Sequence, residues 1–188
     1  FDFLTRVMIG APASTIKTLT DNTLKDPEGF AKILKNTVKF DDSGVLCLSQ
    51  EVDNILLWSH YADNHCGVCL KFDMLEDLDF FTVPFHVIYD KKYPVYNHLT
   101  QSDQLVNMML RTKFKVWEYE KEIRVIKMKN GVYKFNKKAL TEILFGCNVS
   151  INEIDRIKNL ALTNGYGHIS FKKAEKQVGK FGVTFNPI

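Results

Sequence analysis

Apolar and polar positions alternate along this chain in two different periods. Helical spacing over 28–39, 102–116 and 151–162 predicts three amphipathic helices. Short apolar runs typical of strands occur at 45–49, 67–72, 85–89, 122–128, 140–145, 169–174 and 182–186. Strands and helices that mix in this order predict an α+β fold.

The dipeptide Asn130-Gly131 separates the runs 123–128 and 132–135. Asn-Gly between two apolar runs is a strong signal for a β-hairpin. We therefore expect a mixed, hairpin-rich sheet whose strands over 121–135 pack near the buried strands at 45–49 and 67–72. With a few packed helices, these elements predict a single compact α+β domain over residues 1–188.

A dense polar and aromatic segment lies between two apolar runs at 55–73. Asp53 is the predicted cap of a short helix that ends near Ala62. On such a helix Trp58 and Tyr61 share one face, and His60 lies on its flank. That face fits either the wall of an aromatic ligand pocket or buried core with satisfied polar tips.

The residues of this segment support a metal site or a nucleophile site less well than a ligand pocket or buried core. His60, His65, Cys66 and Cys69 offer zinc-type ligands, but the two cysteines have opposite strand parity, so we expect no metal site. Ser59 and His60 are neighbours about 100° apart on a helix, which excludes a dyad between them. The sequence contains neither a P-loop nor a G-x-G-x-x-G motif.

A second unusual segment, W-E-Y-E-K-E-I-R, covers 117–124. On a strand Glu120, Glu122 and Arg124 would share one face. They could form a solvated Glu–Arg face worth about 0–1 kcal/mol. Alternatively, they present a carboxylate that an arginine orients for hydroxyl binding, cation stabilisation or base catalysis. We expect Glu122, one step deeper in the strand, to be the more important carboxylate.

Composition and charge exclude few functions. A net charge of +3 with pI near 8.6 is too small to indicate nucleic-acid binding by itself. The sequence shows neither an apolar run of about 20 residues nor a secretory signal. Four cysteines in 188 residues suit a reducing compartment better than a disulfide scaffold. We therefore expect a cytoplasmic protein without a membrane segment.

The chain contains two distinctive motifs, W-S-H-Y-A at 58–62 and W-x-Y-E-x-E-x-R at 117–124. They occur in one order along the chain together with Lys113 and the runs 45–49, 65–73 and 143–146. In these segments the chain resembles the bacterial domain-of-unknown-function family 2971. Members of that family usually have N-D-P-F-D upstream. Phe1-Asp2 match the end of that motif, so we expect the N-terminal part of the family pattern to be truncated here.

The layout of that family is similar to that of ADP-ribosyltransferases, many of which are bacterial toxins or defence effectors. The resemblance implies an NAD-dependent transferase that uses a nucleotide-like small molecule, with an unspecified protein or nucleic acid as acceptor. It implies catalytic roles for Glu122, Glu120 and His60. The cofactor-binding residues that it implies are Trp58, Ser59, Tyr61, Trp117, Tyr119 and Arg124.

Two other functions stay open at this point. One is a nuclease or hydrolase effector in which His60 and Glu122 act as acid and base. The other is a non-catalytic nucleotide-sensing or interaction domain. In every case we expect the polar helix around His60 and Tyr61 to share one cleft with Glu120 or Glu122.

Overall fold

A computed structural model describes residues 43–82, 84–95, 105–127 and 129–188. The helix predicted over 28–39 and the motif residues Phe1-Asp2 lie outside these residues. The strands are β1 Gly44–Ser49, β2 Val68–Phe72, β3 Phe85–His86, β4 Ile88–Asp90, β5 Thr112–Phe114, β6 Glu122–Lys127, β7 Leu140–Phe145, β8 Ser170–Lys176 and β9 Val183–Pro187. The α-helices are α1 Ile55–Tyr61, α2 Leu105–Arg111 and α3 Ile151–Thr163, and short 3₁₀ helices cover Met74–Asp77, Lys115–Glu120 and Lys137–Ala139. This mixture of helices and sheets confirms the α+β class.

One sheet holds the second unusual segment. Its strand order is β1-β6-β3, and both pairings are antiparallel. In the β1–β6 register Ser49 faces Glu122 and Cys47 faces Arg124. Val125 of β6 is fully buried and packs with Phe81 and Ala139, so the inner face of this sheet belongs to the core.

The second sheet has the order β2-β7-β8-β9. Strands β7 and β8 are parallel, and α3 provides the crossover that parallel strands require. Ser150 caps α3 by accepting a hydrogen bond from the backbone N–H of Glu153. Phe145 and Ile154 are buried between this helix and the sheet and form the centre of the largest apolar cluster.

Two chain segments carry side chains towards the first sheet. Strand β4 pairs with β5 in parallel, and Tyr89 stands opposite Lys113 in that register. The 3₁₀ helix Lys115–Glu120 then leads directly into β6. This short path brings Lys113 close to the first residues of β6.

The hairpin predicted at Asn130-Gly131 is wrong. Residues 132–136 form no strand, and β6 pairs with β1 and β3 instead. Val132 is fully exposed, so a strand there would have buried little apolar surface. Pairing with distant strands that reach the core therefore outweighs the local turn preference of Asn-Gly. Within the described residues, the neighbouring strands β8 and β9 form an antiparallel hairpin.

Several boundaries also differ from prediction. Of the helix predicted over 102–116, residues 102–104 lie outside the described residues, and Leu105–Arg111 are helical. The helix ends there because the following residues pair with β4. The strand predicted over 85–89 divides at Val87, which is buried and donates its N–H to the Glu122 carbonyl. The cap of α1 is Asn54 and not Asp53, since the Asn54 side chain accepts the N–H of Leu56 at 2.9 Å.

Strand β1 was expected to be buried, and this was wrong. Val45 is 42% exposed, and Cys47 is exposed as well. An apolar run shows that a strand forms, but it does not show how many of its faces are covered. The exposed face of β1 is relevant because it borders the cleft described below.

Candidate functional site

A cleft of about 460 Å³ lies where β1, α1 and the start of β6 meet. Its volume is within the range of small-molecule sites in proteins. Ala62, Val68, Cys69 and Leu57 supply much of its apolar wall. The aromatic and charged side chains that line it are Glu51, Trp58, Tyr61, Lys113, Glu120, Glu122 and Arg124.

Glu120 and Glu122 converge in this wall, but not as neighbours on one strand. Glu120 ends a 3₁₀ helix, Lys121 takes a left-handed conformation with φ of 41°, and Glu122 begins β6. The prediction that the two carboxylates share strand parity, with Glu122 deeper in the strand, is therefore wrong. The left-handed turn at Lys121, which a strand pattern does not show, produces the convergence.

Lys113 joins the two carboxylates. Its Nζ lies 3.0 Å from Oε2 of Glu122 and also donates to Oε2 of Glu120. Glu120 and Glu122 are 4% and 5% exposed, so both charges are buried and need such a partner. Burial would lower the pKa of Lys113, but the hydrogen bonds to the two carboxylates raise it above its usual value.

Glu122 is held in a fixed, ionised state. Arg124 grips it with two hydrogen bonds, Nε to Oε1 at 2.7 Å and Nη2 to Oε2 at 3.2 Å. Burial alone would raise the pKa of Glu122, but hydrogen bonds from Arg124, Cys47 and Lys113 lower it to about 2. This carboxylate is therefore a weak proton acceptor near neutral pH and a strong fixed negative charge.

The backbone around this ion pair is also fixed. Arg124 donates from Nη1 to the Leu110 carbonyl at 2.6 Å. The N–H of Glu122 donates to the Tyr89 hydroxyl at 2.8 Å. The Cys47 thiol hydrogen-bonds Glu122, and partial burial together with that carboxylate raises its pKa to about 11. The guanidinium of Arg124 therefore has little freedom to leave Glu122.

Sequence reasoning gave no role to Lys113 or Cys47. Lys113 was noted as part of the family pattern, and nothing else marked it, because its approach depends on the parallel β4–β5 pairing. Cys47 becomes visible only through the β1–β6 register, in which it faces Arg124.

Tyr61 connects the two unusual segments of the sequence. Its hydroxyl donates to Oε1 of Glu120 at 2.8 Å, and this bond raises the pKa of Tyr61. The Tyr61 side chain remains largely exposed, with 67% of its surface accessible. We expected His60 and Tyr61, or Trp58, to share one cleft with Glu120 or Glu122. Trp58, Tyr61 and both glutamates line the cleft, and His60 does not.

Trp58 is a core residue as well as a boundary of the cleft. It is 3% exposed, its Nε1 donates to the Val52 carbonyl at 2.7 Å, and its ring stacks on His65. The two aromatic residues of this helix face therefore differ in burial. Trp58 is buried with a satisfied polar tip, and Tyr61 presents an accessible ring.

Four residues expected in the site do not line the cleft. His60 is exposed and contacts the rings of Tyr61 and Trp117 at centroid distances of 6.3 and 6.0 Å. The Ser59 hydroxyl donates to the Ile55 carbonyl at 2.9 Å, which leaves it to accept from His65. The remaining two, Trp117 and Tyr119, contact each other beside Lys113. Of these four residues, His60 contacts the lining residue Tyr61 and Trp117 contacts the lining residue Lys113.

A second compartment of about 530 Å³ shares part of its wall with the cleft. The shared residues are Cys47, Leu48, Ser49, Glu51, Val52 and Cys69. On the side of the four-stranded sheet, Glu142 accepts hydrogen bonds from Lys71 at 3.0 Å and from Lys172 at 2.9 Å. Burial raises the pKa of Glu142, but the two lysines more than offset this and lower it.

Other site types find no support within the described ranges. Among those residues, no group of three or more His, Cys, Asp or Glu side chains is arranged to hold a metal ion. All four cysteines are free. In the same part of the chain, none of the helices has the length and apolar character to cross a membrane.

Residues 57–125 match the model of a family described as "Protein of unknown function (DUF2971)". The match confirms the resemblance inferred from the two sequence motifs. It covers the cleft-lining residues Trp58, Tyr61, Lys113, Glu120, Glu122 and Arg124, but not Glu51. No curated protein and no solved structure matches the chain.

Proposed function

We propose that this chain, which resembles DUF2971 over residues 57–125, is an NAD-dependent enzyme of the ADP-ribosyltransferase type. One observation carries the proposal. Two buried carboxylates, Glu120 and Glu122, are joined by Lys113 in the wall of a cleft that also presents the accessible Tyr61 ring. Paired carboxylates beside an aromatic surface suit a substrate that develops positive charge on a sugar.

The reaction that fits is cleavage of the bond between nicotinamide and ribose. The C1′–N bond breaks, and its electron pair goes to the ring nitrogen, which leaves as neutral nicotinamide. The ribose then carries positive charge until an acceptor attacks C1′ and loses its proton. A preorganised negative charge near C1′ stabilises this transition state without any proton transfer of its own.

Glu122 suits that electrostatic role because its pKa of about 2 keeps it ionised. Arg124 and Lys113 hold it in place, so no reorganisation is needed at the moment of reaction. Glu120 shares its Oε1 with the Tyr61 hydroxyl, a contact that a ribose hydroxyl could replace. Tyr61, and not the buried Trp58, offers the ring for stacking on nicotinamide.

The hydrolase alternative receives less support. It needs His60 and Glu122 to exchange protons with one substrate, yet His60 lies outside the cleft lining. A carboxylate with a pKa of about 2 is also far from the value that suits a general base at neutral pH.

A binding-only function has one specific observation in its favour. Both carboxylates are already engaged with cations or a hydroxyl, as in ion-pair networks that only support a fold. In that case the cleft would bind a nucleotide-like ligand without turnover, as in a sensor domain.

The biological setting follows from the family resemblance. We place the chain among bacterial toxin or defence effectors, with a protein or nucleic acid as acceptor. The four free cysteines favour a reducing compartment, so we place its action in the cytoplasm.

The direct test is incubation of the purified chain with NAD labelled in the nicotinamide ring, followed by chromatography of the products. The proposal expects release of free nicotinamide, with or without an added acceptor. Saturable NAD binding without release would support the binding-only function. Absence of both binding and release would overturn the proposal.

A further inference from the structure

We propose that the second compartment binds the phosphates of an ADP-bearing ligand, with Lys71 and Lys172 as the phosphate-binding residues. The inference rests on the proposed function, because it assigns a place to the half of NAD that the first cleft does not hold. Its own evidence is a charged cluster at a shared cavity wall, and this can be tested separately.

The cluster presents two cations from the two strands that flank β7. Lys71 lies on β2, Lys172 lies on β8, and β7 carries Glu142 between them. Each lysine donates to a different oxygen of Glu142, Lys71 to Oε1 and Lys172 to Oε2. Glu142 balances only one of the two cations, and Glu51, the other carboxylate in the lining, is paired with Lys121. The cluster therefore keeps one positive charge at the compartment.

Both lysines can reach a ligand. The side chain of Lys71 is 56% exposed and that of Lys172 is 31% exposed, whereas Glu142 is 15% exposed. Long lysine side chains can swing while their stems stay packed. A phosphate in the compartment would therefore meet two ammonium groups before it approaches the more buried carboxylate.

The shape of the compartment suits the rest of such a ligand. Phe72 and Phe185 are part of its lining, and aromatic side chains provide stacking surfaces for a base. The compartment adjoins the first cleft along Cys47–Ser49 and Val52. A dinucleotide could thus place its nicotinamide half near Glu122 and its diphosphate near Lys172.

The direction in which a Glu142 substitution changes ADP affinity distinguishes phosphate binding from other roles of this cluster. If the lysines bind phosphate, Glu142 competes with the ligand for them and also repels it. Glu142→Gln should then tighten binding of ADP. If Glu142 instead accepted hydrogen bonds from a ribose or held a cation, the same substitution would weaken binding.

The test measures binding of ADP and of inorganic pyrophosphate to the intact chain by titration calorimetry. Lys71→Ala and Lys172→Ala should each weaken ADP binding about 10-fold, the scale of one hydrogen bond to a charged group. The matched control is Lys176→Ala, also on β8 and on the same face as Lys172 but outside the compartment lining. Lys176 lies about 13 Å from Lys172 along the strand. This distance exceeds the electrostatic screening length at physiological salt, so Lys176→Ala should leave ADP binding unchanged.

The outcomes separate this inference from the proposed function. Lysine-dependent ADP binding without nicotinamide release would keep the phosphate site and remove the enzyme activity. NAD turnover whose KM is unchanged by Lys71→Ala and Lys172→Ala would keep the activity and overturn the phosphate site. Weaker ADP binding in Glu142→Gln, or equal losses in Lys176→Ala, would also overturn it.

Discussion

The hydroxyl of Tyr61 donates a 2.8 Å hydrogen bond to Oε1 of Glu120, across 59 positions of sequence. This bond joins the polar helix α1 to the turn that precedes β6. Replacing Tyr61 with Phe removes the donor and leaves a buried carboxylate oxygen without it. We expect a loss of about 1 kcal/mol in the free energy of unfolding, measured by urea denaturation.

Tyr93→Phe is the matched control, because Tyr93 is 96% exposed. It should change the unfolding free energy by less than about 0.5 kcal/mol. Equal stability of the Tyr61 and Tyr93 variants would show that the Tyr61–Glu120 bond is not maintained in solution.

The meeting of these two segments was predictable in outline from the sequence, but its geometry was not. Two polar-aromatic clusters in apolar surroundings suggested one shared cleft, and the contact of Tyr61 with Glu120 supports that. The roles assigned to individual residues depended on strand parity. The alternation of side-chain direction that a strand would give does not hold at Lys121, where a left-handed backbone changes the direction of the following side chains.

Elements with strong local signals were predicted well. The helix at 151–163 has a capping serine and regular apolar spacing, and β7 ends in the apolar run 143–145 followed by a glycine. The false hairpin at Asn130-Gly131 and the missed β4–β5 pairing have one cause. Strand pairing between distant segments depends on burial in the assembled core, which local patterns do not contain.

Acid should destabilise the fold partly through Glu122. Its pKa is about 2 in the folded chain against an ordinary 4.5, so the folded state binds the proton less readily than the unfolded state. The stabilisation is complete above pH 4.5 and is lost as the pH falls towards 2. Thermal unfolding of the wild type should therefore show a falling melting temperature across that range.

Glu122→Gln removes this titration. The variant should be less stable than wild type at pH 7, because Arg124 loses a charged partner, and the difference should shrink towards pH 2. Glu153→Gln removes an exposed Glu–Arg pair on α3 and serves as the surface control. A constant difference between wild type and Glu122→Gln at all pH values would contradict the low pKa of Glu122.

Cys47 should react slowly with alkylating agents. Only the thiolate is nucleophilic, and a pKa of about 11 in place of 9.0 reduces the thiolate population about 100-fold near pH 8. Iodoacetamide labelling followed by peptide mass spectrometry measures the rate at Cys47 alone. Labelling as fast as that of an unfolded control would show that the thiol does not face Glu122.

The same measurement on Glu122→Gln provides a second check. Glutamine keeps an oxygen that can accept from the thiol but removes the negative charge of Glu122, which helps to raise the pKa of Cys47. Cys47 should then be labelled faster than in wild type. An unchanged rate would assign the raised pKa to burial and that hydrogen bond.

Gly146 should tolerate no side chain. A Cβ built at this position would lie 2.0 Å from the carbonyl oxygen of His65, so the turn at 63–65 or the end of β7 would have to move. Gly146→Ala should reduce the free energy of unfolding by about 3 kcal/mol or more. At Gly167 a Cβ meets nothing within 4 Å, so Gly167→Ala should stay close to wild type.

The difference between these two alanine variants tests the packing of α1 against the second sheet. Equal stability of both would mean that the turn at 63–65 does not lie against Gly146. Since that turn directly follows α1, the position of Tyr61 in the cleft would then also be in question.

The central claim is that Glu122 stabilises positive charge on the ribose of NAD. Its most direct test is the rate of nicotinamide release from NAD by wild type, Glu122→Gln and Glu118→Gln, each first shown to be folded by circular dichroism. Glu118 is an exposed carboxylate four residues earlier that lies outside the cleft lining. The account predicts release by wild type and Glu118→Gln, and a rate about 100-fold lower in folded Glu122→Gln. Release at the wild-type rate by Glu122→Gln, or no release by wild type, would contradict it.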